Sequence, residues 1–322
     1  MAENVTILSL ADRERWEAEL RQSGLPSQSW SYAWGLSASA LDPKLAIVEC
    51  KGARMVLPFF ERSWNGEIDV ATMSGLSGAS LSSDSGAPIS LWREYAMGQK
   101  WVAGYIQLAP ATRLNELPPA SHIVEHNAVF LFDVHDWDPT KVASRTVRRK
   151  ILAAEQQGAT VIDDPSILGE SLQRLYSPTM RRLGAPESFS PETLCRWSQA
   201  PTSLLLGVRL GETIEAVHLA HLSDEAAEWH IAGTTESGRS LAALIYWNAP
   251  AYLRKRGIRF CNLGGGARIG DGVYELKKRL GGVPTPLQSL RQIYDEQKYE
   301  ELCALAGVPA ETVWFPAYRS PA

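Results

Sequence analysis

The order of secondary-structure signals repeats once along the chain, and that repeat limits the possible folds more than any single motif. Residues 45–50 read as a strand, Lys51 and Gly52 mark a tight turn, and residues 55–60 read as the return strand. A third strand follows at 67–73. After a Gly/Ser-rich loop (74–86) come a helix at about 90–100 and a strand at 101–108. The same order returns at 203–210, a turn at Gly211, 214–222, 228–234, a helix at about 240–256 and a strand at 258–263. Leu108 lies 56 residues beyond the turn residue Gly52, and Leu263 lies 52 beyond Gly211. Side chains differ between the copies while order and spacing agree. This predicts an internal structural duplication, two α/β (α+β) units, each a mixed, mostly antiparallel sheet flanked by helices.

Composition agrees with that size of core. The chain has 322 residues, 45% of them hydrophobic and 21% charged, an ordinary globular balance. A net charge of −4 gives no global drive toward nucleic acid or a membrane surface, so an anionic partner has to engage a local patch. The four cysteines (Cys50, Cys195, Cys261, Cys303) are scattered, with no CxxC pair and no zinc or iron–sulfur spacing. They read as free thiols of a reducing cytoplasm, and no metal site is expected. No basic segment followed by an apolar one opens the sequence, which reads as lacking a secretory signal. No run of about 18 apolar residues suggests a membrane span.

A joint is expected near 136–140, giving an N-terminal unit at 1–140 and a C-terminal unit at 141–322. The latter's last residues are expected to pack back on the first unit. From about 141 to 157 the pattern is helical, with Val147, Ile151 and Ala154 on the apolar side. Lys141, Arg145, Arg148 and Arg149 gather opposite, either as a solvated face or as a patch for phosphate or RNA.

Several stretches carry a family resemblance: 28–34, SRTVRRKILAAEQQG (144–158), LYSPTMRRLGA (175–185), AEWHIAGT, RGIRFCNLGGG (256–266), DGVYELKKRLGG (271–282) and WFPAYR near the end. In this order they resemble the tandem GNAT-fold acyltransferases of the Fem type, the aminoacyl-tRNA:peptidoglycan enzymes. Within that group the closest resemblance is to the related N-acyltransferases of nucleotide-sugar and polysaccharide pathways. The resemblance implies a cytoplasmic N-acyltransferase with two GNAT-like units. Acyl-CoA is the first-choice donor and aminoacyl-tRNA the alternative. The acceptor is the amine of a nucleotide-linked amino sugar or of a peptide-like metabolite. No resident cofactor is implied. A non-catalytic ligand-binding relative is a third reading. Two departures matter: Leu276 stands where the family often has Phe, and no Lys follows Trp34, which weighs against a UDP-linked peptidoglycan precursor as acceptor.

The resemblance and the chemistry of acyl transfer together select residues. Lys277 matches the motif lysine, where a cation can stabilise the oxyanion. His230 is expected on the strand face shared with Ala232, as a base for the amine proton. Gly238, Arg239 and Ser240 lie where a GNAT unit places its phosphate loop, before a helix N-terminus that favours anions. Gly265 and Gly266 belong to a backbone-lined loop beside the cleft and are grouped with the donor site. The Gly264–Gly272 stretch lacks the Lys-Ser/Thr of a P-loop and the βαβ context of a dinucleotide fingerprint. Trp34, Arg182 and Asp271 are matched to the acceptor side. His218 and His221 have metal-like spacing, but residues three apart on a strand face opposite sides, so they cannot share an ion.

Overall fold

A computed structural model of the chain describes residues 3–320 apart from 22, 23 and 267. Its strands and α-helices run β1 (Asn4–Leu8), α1 (Arg13–Leu20), α2 (Trp30–Leu36), β2 (Lys44–Cys50), β3 (Ala53–Trp64), β4 (Glu67–Thr72), β5 (Ser80–Leu81), α3 (Ala87–Gly98) and β6 (Ala103–Gln107). They continue with β7 (Ser121–Asp133), α4 (Pro139–Val142), α5 (Arg145–Gln156), β8 (Thr160–Ile162), α6 (Pro165–Leu183), α7 (Pro191–Gln199), β9 (Ser203–Leu210), β10 (Thr213–Leu222), β11 (Ala226–Thr234) and α8 (Ala243–Lys255). The last are β12 (Phe260–Asn262), α9 (Gly272–Arg279), β13 (Val283–Ile293) and α10 (Glu296–Ala306).

The chain divides into two compact units, and neither is a continuous half. One holds residues up to 19, 42–126 and 286 onward; the other holds 20–41 and 127–285. In the first, strands neighbour one another in the order β1-β2-β3-β4-β6-β13, with β5 against β3. In the second the order is β8-β9-β10-β11-β12-β7. Both orders read as an outer strand, a hairpin, a third antiparallel strand, a parallel neighbour reached through a helix, and a last antiparallel strand. The repeat seen in the sequence is thus a repeat of strand order.

The units differ from the 140/141 division expected above. The last strand of each sheet does not come from its own stretch of chain: the first unit uses the end of β13, the second the end of β7. Residues 20–41 also leave the first unit. Ser27 donates to the buried Glu228 at 3.0 Å, and the Trp197 indole donates to the Tyr32 carbonyl at 3.0 Å, so α2 is fixed to β11 and α7.

In the first unit α3 covers one face of β2 and β3, burying Met55, Leu57, Phe59, Ile89, Trp92 and Trp101. Beside this core, Asp69 of β4 is 1% exposed. It accepts from Arg62 Nε at 2.6 Å, Arg319 Nε at 2.5 Å and the Tyr318 hydroxyl at 3.0 Å. One carboxylate therefore holds the final turn of the chain (Ala317–Arg319) to the sheet. Burial and the Asp69 charge both push the Tyr318 phenol well above its usual pKa, so it stays a donor. Asp69→Ala strands two guanidiniums that already lie mostly out of water. We expect a loss of about 3 kcal/mol, the scale of a broken buried ion pair. Urea unfolding followed by tryptophan fluorescence measures it, and a midpoint equal to that of the parent protein would refute it.

In the second unit the sheet has two differently used faces. α8 and α5 cover one, over Leu206, Ala216, Ala220 and Trp229. α6 and α7 cover the other. Among the described residues, no helix is long and apolar enough to cross a membrane, and no group of three or more His, Cys, Asp or Glu could hold a metal ion.

Candidate active site in the second unit

The glycine-rich segment is built around Lys277. After β12, Asn262 turns the chain by accepting from Gly264 N at 2.8 Å, and Asp271 caps α9 by accepting from Val273 N and Tyr274 N at 3.0 and 2.8 Å. Between these anchors a side chain on Gly265 would collide with the Ala128 carbonyl of β7, and one on Gly266 with the Asp271 carboxylate. The glycines are therefore required by close approach, and the Gly265 carbonyl is left facing Lys277. Lys277 is only 4% exposed. Its Nζ donates to that carbonyl at 2.6 Å and lies 6.0 Å from the Tyr246 ring centroid.

Three more side chains converge there from different elements. His218 of β10 is 4% exposed, and its ring packs edge-on to Tyr246 of α8 at 5.0 Å between centroids. Cys261 of β12 is buried. Burial pulls the Lys277 ammonium down to about 8, against the raising influence of Asp271 and Cys261. Burial, and second the Lys277 charge, pull His218 down to about 3. Burial pushes the Cys261 thiol up to about 12 and the Tyr246 phenol well above its usual value. At neutral pH the cluster therefore holds one cation, Lys277, among neutral polar groups.

His230 is not part of this cluster. Leu219 pairs with Ile231 but Ala220 pairs with Trp229, so His230 is the extra residue of a β-bulge. Opposed residues share a face. Ala232, opposite His218, therefore lies on the α8 side, whereas Ile231 and His230 do not follow the simple alternation assumed from sequence. The His230 ring sits 5.4 Å from Trp197, 5.2 Å from Phe189 and 5.5 Å from Tyr32, with His221 also at 5.5 Å. Burial holds His230 near pKa 4. The expected pairing of His230 with Lys277 is not made; the histidine beside Lys277 is His218. His218 and His221 do take opposite faces, as strand periodicity requires.

The expected phosphate loop is closed on itself. Residues Ser237–Ser240 form a 3₁₀ turn. Thr235 Oγ1 bonds the Glu215 carboxylate, Ser237 Oγ donates to it at 2.8 Å, and Gly238 N donates to Thr235 Oγ1 at 2.8 Å. Arg239 pairs with Glu236 at 2.9 Å and Ser240 Oγ donates back to the Ser237 carbonyl at 2.9 Å. Leu241 N and Ala242 N both donate to the Gly238 carbonyl, so the approach to α8 offers fewer amides to an anion than a bare helix start. Arg182 adjoins this loop: its Nη2 donates to Thr234 Oγ1 at 2.5 Å and its Nε lies 3.6 Å from Glu236. Trp34 lies elsewhere, stacked on Trp30 at 6.0 Å under the Arg196 guanidinium at 4.8 Å. The structure thus gathers Lys277, Gly265, Gly266 and Asp271 in one place and Arg182, Gly238, Arg239 and Ser240 in another. His218, Tyr246 and Cys261 are not among the residues that the sequence singles out for this cluster. The one available signal for His218 was its register on a strand whose neighbour leads through a helix to the LGGG segment.

The fold is shared with solved structures. The chain aligns over 92% of its length with 99% of FemX, at a TM-score of 0.66 and 11% identity. It aligns over 91% with 100% of a conserved protein of unknown function from Bacteroides thetaiotaomicron VPI-5482, at 0.62 and 13%. It aligns over 88% with 92% of the C-terminal domain (DUF2156) of a putative lysylphosphatidylglycerol synthetase from Agrobacterium fabrum, at 0.58 and 13%. The likeness at such identities is one of fold, and FemX is among the structures that share it. No family model matches the sequence, and no curated protein is significantly similar to it.

Proposed function

We propose that the chain is an N-acyltransferase that forms an amide bond in its second unit, from an activated ester or thioester and an amine. The carrying observation is Lys277, a buried ammonium on the LGGG loop. Its hydrogen bond to Gly265 uses one of three donors, and the other two can meet an oxyanion in a site of low dielectric. The acceptor on this reading is the amine of a nucleotide-linked amino sugar or a peptide-like metabolite.

Two observations favour an aminoacyl-tRNA donor over the CoA thioester ranked first from sequence. Thr235 and Ser237, at the entry to the Ser237–Ser240 turn, direct their hydroxyls at Glu215, and a carboxylate there repels a pyrophosphate. The basic helix α5 starts beside the end of α9, where Ser144 N donates to the Arg279 carbonyl at 2.8 Å. Not all its cations are available. Arg148 is folded onto the carbonyls of Ala143 and Lys141, at 2.8 and 3.0 Å, and Lys141 pairs with Asp138 at 3.2 Å. Arg145, Arg149 and Lys150 are exposed. If they contact phosphates, tRNA affinity falls with salt at a log–log slope of about −3, since each neutralised phosphate releases counterions. Filter binding at graded salt measures this, and Arg145→Glu with Arg149→Glu should flatten the slope. The activity test offers charged tRNA and acyl-CoA in parallel with an amine acceptor. Amide formed from a CoA thioester alone would overturn the tRNA assignment, and transfer from neither donor would overturn the transferase reading.

A further inference from the structure

We infer that His218 is the proton carrier of this site, working with Lys277 as an acid–base and oxyanion pair. The inference rests on the transferase reading above and adds a residue to it. His218, Tyr246 and Lys277 come from β10, α8 and α9 and meet in a buried cluster. Among the described residues, neither His218 nor Tyr246 makes a side-chain hydrogen bond to another protein group. A ring nitrogen of His218 is thus left to bond a reacting group, and burial, with the neighbouring ammonium second, keeps the imidazole neutral and able to accept a proton.

The charge logic ties the two residues to one reaction. The amine nitrogen forms the C–N bond, and the carbonyl π pair moves to oxygen, where Lys277 holds it. The oxyanion cancels much of the Lys277 field at His218, removing the second of the two causes that weaken this base. Its proton affinity therefore rises as the amine must lose a proton. The imidazole takes that proton. When the oxyanion collapses and the C–O or C–S bond breaks, the imidazolium returns it to the leaving oxygen or sulfur. The products are one amide and one alcohol or thiol, with no external oxidant or base. Facing groups are Tyr246 and Lys277 toward His218, and Asp271 and Cys261 toward Lys277.

The first test needs no substrate. In the full chain with isotope-labelled histidine, NMR at pH 6, before most of the acid loss of stability, should show His218 (assigned from His218→Gln) neutral. Titrated in a His221→Phe, His230→Phe background, which removes two of the three acid-sensitive imidazoles, Lys277→Met should raise the His218 midpoint by about one unit or more, the scale of one nearby charge at an effective dielectric of about 20. An unmoved midpoint, or an imidazolium at pH 6 in the parent protein, would overturn the pair. The second test uses whichever of charged tRNA or acyl-CoA turns over. His218→Gln, with His218→Asn in reserve should the first not fold, is expected to lower kcat about 100-fold or more at little cost in KM. A kcat within threefold of the parent's, while Lys277→Met is inactive, would leave the transferase reading standing and remove His218 from it. Where neither donor turns over, the transferase reading fails and with it the catalytic role of His218.

Discussion

Lys277→Met is expected to abolish most activity and to stabilise the protein at the same time. Removing one oxyanion donor costs about 100- to 1,000-fold in kcat. The stability effect has the opposite sign because the ammonium is buried where water cannot reach it. Its pKa is about 8 in the folded chain and 10.5 in the ordinary state. Between those values the unfolded chain binds more protons, so stability rises with pH through that window. Below pH 8 the full penalty is present. Methionine fills similar volume with no charge to desolvate, so at pH 7 the variant should gain roughly 1–3 kcal/mol. Its advantage should vanish above about pH 10.5. A side chain that is only structural predicts a lower Tm instead. Differential scanning fluorimetry at pH 7, combined with turnover under the donor that works, separates the two. A variant that loses both Tm and kcat would show that Lys277 serves the fold.

That opposition of stability and function also explains what could be read from the sequence. The hairpin–strand–helix–strand order was legible because it is written locally, in turn residues and in periodicity. Sheet partners from distant stretches were not. β13 begins Val283-Pro284-Thr285-Pro286, and prolines argue against a strand. β7 opens mostly polar (Ser121, His122, Glu125, His126 and Asn127, interrupted by Ile123 and Val124) and becomes a continuous apolar run only from Ala128. Those two strands supply the last position of each sheet, so the domain division followed chain order and missed the exchange. The site was half legible for a related reason. Lys277, Gly265, Gly266 and Asp271 lie within one short segment, and a motif can carry them together. His218 and Tyr246 join them only through strand register and a crossover helix. His230 went astray because a bulge shifts alternation by one residue, and no local signal in AEWHIAGT announces it.

The second large effect is an acid collapse of the second unit between about pH 6.5 and 4. His218 and His230 are held near 3 and 4 by burial, and His221 is pushed well below 6.5 by burial and then by His230. The Nε2 of His221 and the Nδ1 of His230 are buried without a hydrogen-bond partner, so neither ring has an acceptor ready for a second proton. For a depressed pKa the sign is fixed. Above the unfolded value of 6.5 both states are neutral and the stability is complete. As pH falls below 6.5 the unfolded chain takes up protons first, and stability drains until the folded groups titrate. Three such groups give a slope of about 4 kcal/mol per pH unit, and most carboxylates remain ionised over the upper half of that window. A loss of this size, about 8 kcal/mol over two pH units, is comparable to the usual net stability of a domain. Urea unfolding at pH 7.5, 6.5 and 5.5 reads the slope directly. His221→Phe and His230→Phe keep an aromatic ring against Tyr32 and Trp197 while removing one titrating group each, so each should lower the slope by about 1.4 kcal/mol per pH unit. Equal unfolding free energies at pH 7.5 and 5.5 would mean that these imidazoles find proton-accepting partners when charged. The aromatic cluster on α2, α7 and β11 would then not be the acid-sensitive part of the fold.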